Sequence, residues 1–182
     1  NQKWSWDRIL RSPYIKQADI LQGFYMFESD FSTEELERHF DFYEPFTVHE
    51  SSLSPCVHSI QAAKLDRMEQ AYTFYLRTSR LDLDDYNHEV EEGLHITSMA
   101  GTWMSIVEGF GGMRVRNNIL SFSPKIPKGW KSYSFKVNFR NQVITINITQ
   151  NGTHFELDGA KEINIIVNGE TVIVSPNNLL TV

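Results

Sequence analysis

The chain has 182 residues, 41% hydrophobic and 22% charged, with a net charge of −6 and a single cysteine, Cys56. That apolar content can fill a core, which excludes a disordered chain, and the absence of any apolar run of about 18 residues excludes a helical membrane span. One cysteine excludes an internal disulfide framework, and the acidic balance argues against a nucleic-acid footprint, so neither nucleic acid nor membrane is expected as a partner.

The sequence opens on Asn1 with no charged-then-apolar leader, which reads as a start after processing or inside a longer protein. Ser12-Pro13 pairs a capping residue with a proline at a first helical position. Tyr14, Ala18, Leu21 and Tyr25 then recur at helical spacing and predict a helix from that point. Ser32 with Glu35 makes a capping box, and Phe31 with Leu36 fits the hydrophobic staple, predicting a helix over 33–43 that ends before Pro45. Ser54-Pro55 repeats the cap-then-proline start for a helix reaching Leu65, and Asp66 with Glu69 opens another through Tyr72, Tyr75 and Leu76. A last helix spans roughly His95 to Phe110, with Met99, Trp103, Ile106 and Phe110 on one face, until Gly109, Gly111 and Gly112 stop it.

After Gly112 the period changes to two. Ser134–Phe139, Gln142–Thr149, Thr153–Leu157, Ile163–Val167 and Thr171–Val174 read as strands. Asn151-Gly152 and Asn168-Gly169 sit between pairs of them, and Asn-Gly is a strong hairpin signal because both positions of a type I′ turn need positive φ. Strands alternate with turns and no helix intervenes, so the second part is an antiparallel sheet or sandwich. Residues 113–133, with Pro124, Pro127 and Gly129, read as the join plus an edge strand.

Several clusters could carry chemistry. His49, Ser51, Ser52 and Ser54 lie just ahead of a helix start, where free backbone N–H groups and the helix dipole favour an anion. The plainer alternative is that Ser54 caps the helix and the others are solvated. His95, Thr97 and Ser98 open another helix behind the acidic Glu89, Glu91 and Glu92, with the same two readings. Asp82, Asp84, Asp85 and Asn87 cluster like calcium ligands but lack the glycine and spacing of an EF-hand, so they read as a polar loop with local side-chain-to-backbone turns. The histidines show no metal-ligand spacing, and no phosphate loop or nucleophile elbow is present.

Longer stretches carry a family resemblance. KQAD at 16–19, FYEP at 42–45, HESSLSPCVH at 49–58, LRTSRLDLDDYN at 76–87, GLHITSMAG at 93–101 and EGFGGMRV at 108–115 resemble glycoside hydrolase family 65. The likeness runs from about Trp4 to Thr149 and is nearest to the maltose-cleaving members.

The resemblance implies an α+β chain in two parts. Residues 1–112 would be the last helices of an (α/α)6 catalytic barrel, and 113–182 a C-terminal antiparallel β domain of a much longer enzyme. It implies inverting phosphorolysis, maltose plus phosphate giving β-D-glucose 1-phosphate and glucose, with trehalose or kojibiose as alternative substrates. A non-catalytic carbohydrate-binding fragment, with Trp130 and Tyr133 as its aromatic candidates, is the alternative from another class. Ser51 and Ser52 would sit on the phosphate-binding loop, His95 would match the phosphate-binding histidine, and Lys16 and Gln17 the substrate-binding pair. The general acid, a Glu, would lie upstream of residue 1, so no catalytic residue is assigned within the chain and the chain alone would be inactive. No cofactor or metal is expected, because inorganic phosphate is a substrate. The implied partners are disaccharide, phosphate, the rest of the same enzyme and a second copy in a cytoplasmic homodimer.

Overall fold

The computed structural model describes residues 4–49, 51–85 and 88–182 and divides into two compact units, Asn1–Ser105 and Ile106–Val182. The first unit is helical. It holds α1 (Trp6–Leu10), α2 (Asp19–Met26), α3 (Thr33–Tyr43), α4 (Ser54–Lys64), α5 (Met68–Ser79) and α6 (Ile96–Met104), with short 3-10 turns at Glu28–Asp30, Glu44–Phe46 and Val90–Glu92. Among the described residues no helix is long and apolar enough to cross a membrane.

The capping box forms as the sequence indicates. Ser32 Oγ accepts from the Glu35 amide, the Glu35 carboxylate accepts from the Ser32 amide, and α3 follows with Leu36 and Phe40 buried. The Ser12-Pro13 start does not. Ser12 Oγ donates to the Ile9 carbonyl and accepts from the Tyr14 amide, so it closes α1, which was not foreseen, rather than capping a new helix. Residues 14–17 are instead drawn into a parallel bridge in which the Ile15 amide donates to Phe46 O (2.9 Å) and the Val48 amide to Ile15 O (2.8 Å). These backbone bonds to a distant segment replace the first turn of a helix, and α2 begins only at Asp19. Asp66 makes no cap either: it lies at φ +60°, and α5 starts at Met68 without a side-chain cap.

Helix α4 is buried from Ser54 to Ala63, with α2, α5 and α6 packed around it. Its polar residues bond inward: Ser59 Oγ donates to Ala71 O (2.9 Å) and Gln61 Nε2 to Leu21 O (3.4 Å). Contact with α6 is close because position 101 is glycine. A Cβ built there would lie 2.7 Å from Cys56 Cβ and 2.9 Å from its Sγ.

A π-helical turn, Ser105–Phe110, starts on the last residue of the first unit and opens the second, where Val107 and Phe110 are buried. Eight strands follow: β1 (Arg114–Arg116), β2 (Ile119–Phe122), β3 (Ser132–Phe139), β4 (Gln142–Thr149), β5 (Gly152–Asp158), β6 (Ile163–Val167), β7 (Glu170–Val174) and β8 (Leu180–Thr181). They form two four-stranded sheets, β1-β2-β6-β7 and β3-β4-β5-β8, which share one core, with Phe122 of the first sheet 5.4 Å from Phe155 of the second. Pairing is antiparallel except between β2 and β6. The domain is thus the expected antiparallel one apart from this single parallel pair. The β3–β5 meander intervenes between the two strands, so the chain re-enters the first sheet in the same direction. Asn168-Gly169 turns with both residues at positive φ, as expected, whereas at Asn151-Gly152 only the glycine does.

Two predictions follow from this packing. Gly101→Ala should lose at least about 1 kcal/mol, because overpacking costs roughly 1–3 kcal/mol and outweighs the better helix propensity of alanine. Cys56→Ala should not rescue it, since the nearest atom is the Cys56 Cβ; urea unfolding reads both. The second concerns His58, fully buried on α4, whose Nδ1–H donates to Ser54 O (3.1 Å). Burial first, then neighbouring His49, hold its pKa down from 6.5 to about 3. Below pH 6.5 the unfolded chain takes a proton that the folded one refuses. Stability should therefore fall by roughly 1.4 kcal/mol per pH unit from 6.5 downward and be restored above it. His58→Gln should flatten the urea-midpoint profile between pH 7 and 5, and an equally steep variant would refute the assignment.

Candidate phosphate and sugar site

The loop ahead of α4 is held rigidly where it meets the helix. Thr47, Val48 and His49 are buried. His49 sits at φ +59°, its carbonyl accepting from Arg77 Nη2 (2.8 Å), its Nδ1 3.0 Å from Ser54 Oγ and its ring centroid 4.4 Å from that of His58. Ser51 and Ser52 follow, both partly exposed. The Ser51 carbonyl accepts from the Ser54 amide (3.1 Å) and its Oγ from the Leu53 amide (3.3 Å). Ser54 is inside the helix and its hydroxyl turns to His49, so the simple reading of Ser54 as the cap is replaced. Leu53 occupies the cap position and no side chain caps α4. The Leu53 and Ser54 amides are both taken by Ser51, and Pro55 carries no N–H. Glu50 lies outside the described residues.

His95 occupies the cap position of α6, again without a side-chain cap on the helix. Its ring is held from outside. Asp82 Oδ1 lies 2.5 Å from His95 Nδ1, Asp82 Oδ2 accepts from the His95 amide (2.9 Å), and Glu89 Oε2 lies 3.6 Å from Nε2. The hydrogen bond to Asp82, followed by the charges of Asp82, Glu89 and Glu92, pushes the imidazole pKa up, and His95 in turn lowers that of Asp82. Each group thus favours the charged form of the other.

The last turn of α5 brings the two helix starts to one end of the unit. Arg77 bonds the His49 carbonyl ahead of α4, and its neighbour Thr78 accepts through its carbonyl from Ser98 Oγ (2.8 Å) in the first turn of α6. Ser51, Ser52 and His95 thus belong to the same end of the α4–α5–α6 layer. Lys16 and Gln17 are brought near the 47–49 segment by the Ile15–Thr47 bridge. Both also have local contacts: Lys16 Nζ stands 5.1 Å over the Trp6 ring and Gln17 Nε2 donates to Asp19 Oδ1 (2.8 Å).

The acidic cluster does not act as one group. Asp84 pairs with Arg80 and Asp85 accepts from the Glu89 and Val90 amides, in keeping with a polar loop, while Asn87 lies outside the described residues. Asp82 reaches thirteen residues along the chain to His95, and no local spacing signals this. In the β unit, Trp130 packs edge-on between Phe110 and Tyr133, and the Tyr133 hydroxyl donates to Lys125 O (2.7 Å), so these rings are structural contacts rather than a stacking platform.

Comparisons with known proteins fit this geometry. Residues 1–104 match the glycosyl hydrolase family 65 central catalytic domain, and residues 113–174 the C-terminal domain of the same family. The chain is 54% identical to a maltose phosphorylase of Bacillus subtilis over 95% of its length and 23% of the relative's. It is 38% identical to an α,α-trehalose phosphorylase of Thermoanaerobacter brockii over 97% of its length and 23% of the relative's. A solved structure of a provisionally assigned kojibiose phosphorylase from the human microbiome superposes with a TM-score of 0.92 at 38% identity, covering 100% of this chain and 27% of that one. The chain thus spans about a quarter of the length of such relatives. With both its helical and its β unit matched, the chain belongs to glycosyl hydrolase family 65, as part of its central catalytic domain followed by its C-terminal domain.

Proposed function

We propose that the chain is the C-terminal part of an inverting α-glucoside phosphorylase and carries its phosphate site, with maltose as the disaccharide. The observation that carries the reading is that the last turn of α5 bonds to both helix starts, the one that follows Ser51 and Ser52 and the one opened by His95, whose protonated form Asp82 favours. Hydroxyls and an imidazole N–H are donors suited to a phosphate. The choice of maltose follows the 54% identity to a maltose phosphorylase, against 38% for a trehalose and 33% for a kojibiose phosphorylase.

In such a reaction phosphate attacks the anomeric carbon from the face opposite the departing glycosidic oxygen. The C1–oxygen bond to the second sugar breaks as the C1–oxygen bond to phosphate forms, with inversion, and a carboxylic acid protonates the leaving oxygen. Phosphate is already anionic, so the base that an inverting hydrolase uses on water is replaced by an anion site. Lys16 and Gln17, an ammonium and an amide, suit sugar hydroxyls. The general acid, a Glu, lies outside these 182 residues, and Glu44 does not stand in for it.

In the complete enzyme, Ser52→Ala or His95→Ala should raise the phosphate KM about 10- to 100-fold, since a lost hydrogen bond to a charged group costs roughly 1.5–3 kcal/mol. The disaccharide KM should change little. Lys16→Ala should do the reverse. Steady-state kinetics with each substrate varied in turn decides, and equal effects on both KM values would refute the division of roles. The 182-residue chain alone should release no glucose 1-phosphate from maltose and phosphate, and measurable release would remove the assignment of the acid to a region outside it. Assaying the complete enzyme with maltose, trehalose and kojibiose tests the substrate, and a preference for either of the latter would overturn the choice of maltose.

A further inference from the structure

We infer that Asp82 is the positioning residue of this phosphate site: its carboxylate grips His95 by ring and backbone together, fixing Nδ1 as the inward donor and leaving Nε2–H for the anion. The inference rests on the reading of His95 as a phosphate ligand.

The argument begins with the two oxygens. An ionised carboxylate only accepts, so the 2.5 Å approach of Asp82 Oδ1 to His95 Nδ1 requires the proton on Nδ1. The other oxygen takes the His95 amide at 2.9 Å. Two bonds from one side chain to one residue fix both where the ring starts and which way it turns. Neither side chain is free to wander, at 17% exposure for Asp82 and 19% for His95. The same amide bond anchors the cap position of α6, so the ring is oriented together with the start of the helix.

That leaves one nitrogen. Nε2 has Glu89 Oε2 at 3.6 Å, an ion-pair contact longer than a hydrogen bond, which an incoming anion has to displace. The charged groups acting on the ring are Asp82, Glu89 and Glu92, all of which favour its protonated form. With Asp82 in place the imidazole offers an anion a directed N–H and is favoured in its protonated form. Without it the ring can rotate, exchange tautomers and lose its proton near neutral pH.

The test uses the complete enzyme. Asp82→Asn retains an acceptor for the His95 amide but removes the charge. It should raise the phosphate KM about tenfold at pH 7.5, the scale on which partners of a ligating imidazole act, with a clearly smaller effect at pH 5.5, where the ring is protonated without help. The disaccharide KM should stay within about twofold, a change too small to count on the free-energy scale of binding. Because the residue acts through His95, adding Asp82→Asn to His95→Asn should cause no further loss. If Asp82→Asn fails to fold, Asp82→Glu serves: it keeps the charge but displaces it by one methylene, and should raise the phosphate KM without the pH dependence. A full Asp82→Asn effect in the His95→Asn background, or an unchanged phosphate KM where His95→Asn raises it, would overturn the inference alone. An unchanged phosphate KM in His95→Asn itself would remove the phosphate reading and this inference with it.

Discussion

The helical unit depends on the complete burial of α4. A helix enclosed on every side from Ser54 to Ala63 cannot send its polar side chains to water, so each must find a partner inside. Ser59 and Gln61 reach carbonyls on α5 and α2, and His58 bonds the Ser54 carbonyl one turn back. Ser54 is thereby committed through both its carbonyl and its hydroxyl, the latter to His49. The start of the helix is consequently immobile. Immobility matters there, because donors that are already oriented bind an anion without first losing entropy. The same enclosure explains why position 101 is glycine: α6 must come against α4 at Cys56, and a Cβ leaves no room.

Local signals were legible where local interactions decide. The Ser32–Glu35 box needs only residues within one turn, and α3 begins where the motif places it. Two-residue periodicity located the main strands to within two residues at either end, because alternate residues face a shared core. Failures share a cause. Ser12-Pro13 meets the local requirements of a helix start, yet residues 14–17 gain more from backbone bonds to 46–48, a segment thirty residues away. Asp66 and Glu69 have the spacing of a cap, but the tight return from α4 to α5 puts Asp66 in the left-handed region. The Asn117-Asn118 and Arg140-Asn141 turns have two positive φ values each and escaped notice because neither contains glycine.

The candidate site divides along the same line. Which residue types stand ahead of α4 and α6 was legible, because a helix start is a local object. That both starts lie at one end of a layer was not, since it depends on α5 running back between them and ending on His49 and Ser98. Nor was Asp82, which read as one more acid in a polar loop. Its role arises only when the chain between 82 and 95 folds back.

That fold-back gives the acidic loop a meaning. Carboxylates beside an anion site are repulsive, and a loop carrying Asp82, Glu89 and Glu92 next to a phosphate ligand looks at first like an error of design. The resolution lies in distance and geometry. Asp82 spends its charge on His95 at hydrogen-bond range, where it favours the cation, and the ring stands between it and whatever approaches Nε2, whereas Glu89 lies on the Nε2 side and has to give way. A neutral imidazole would offer phosphate one hydrogen bond, and a charged one offers a bond about twice as strong. An arginine there would carry charge without this dependence on a neighbour. In the proposed site, a histidine held by a carboxylate would tie the strength of anion binding to the pairing of α6 with the loop after α5, so that binding would be at full strength only when that part of the fold is in place.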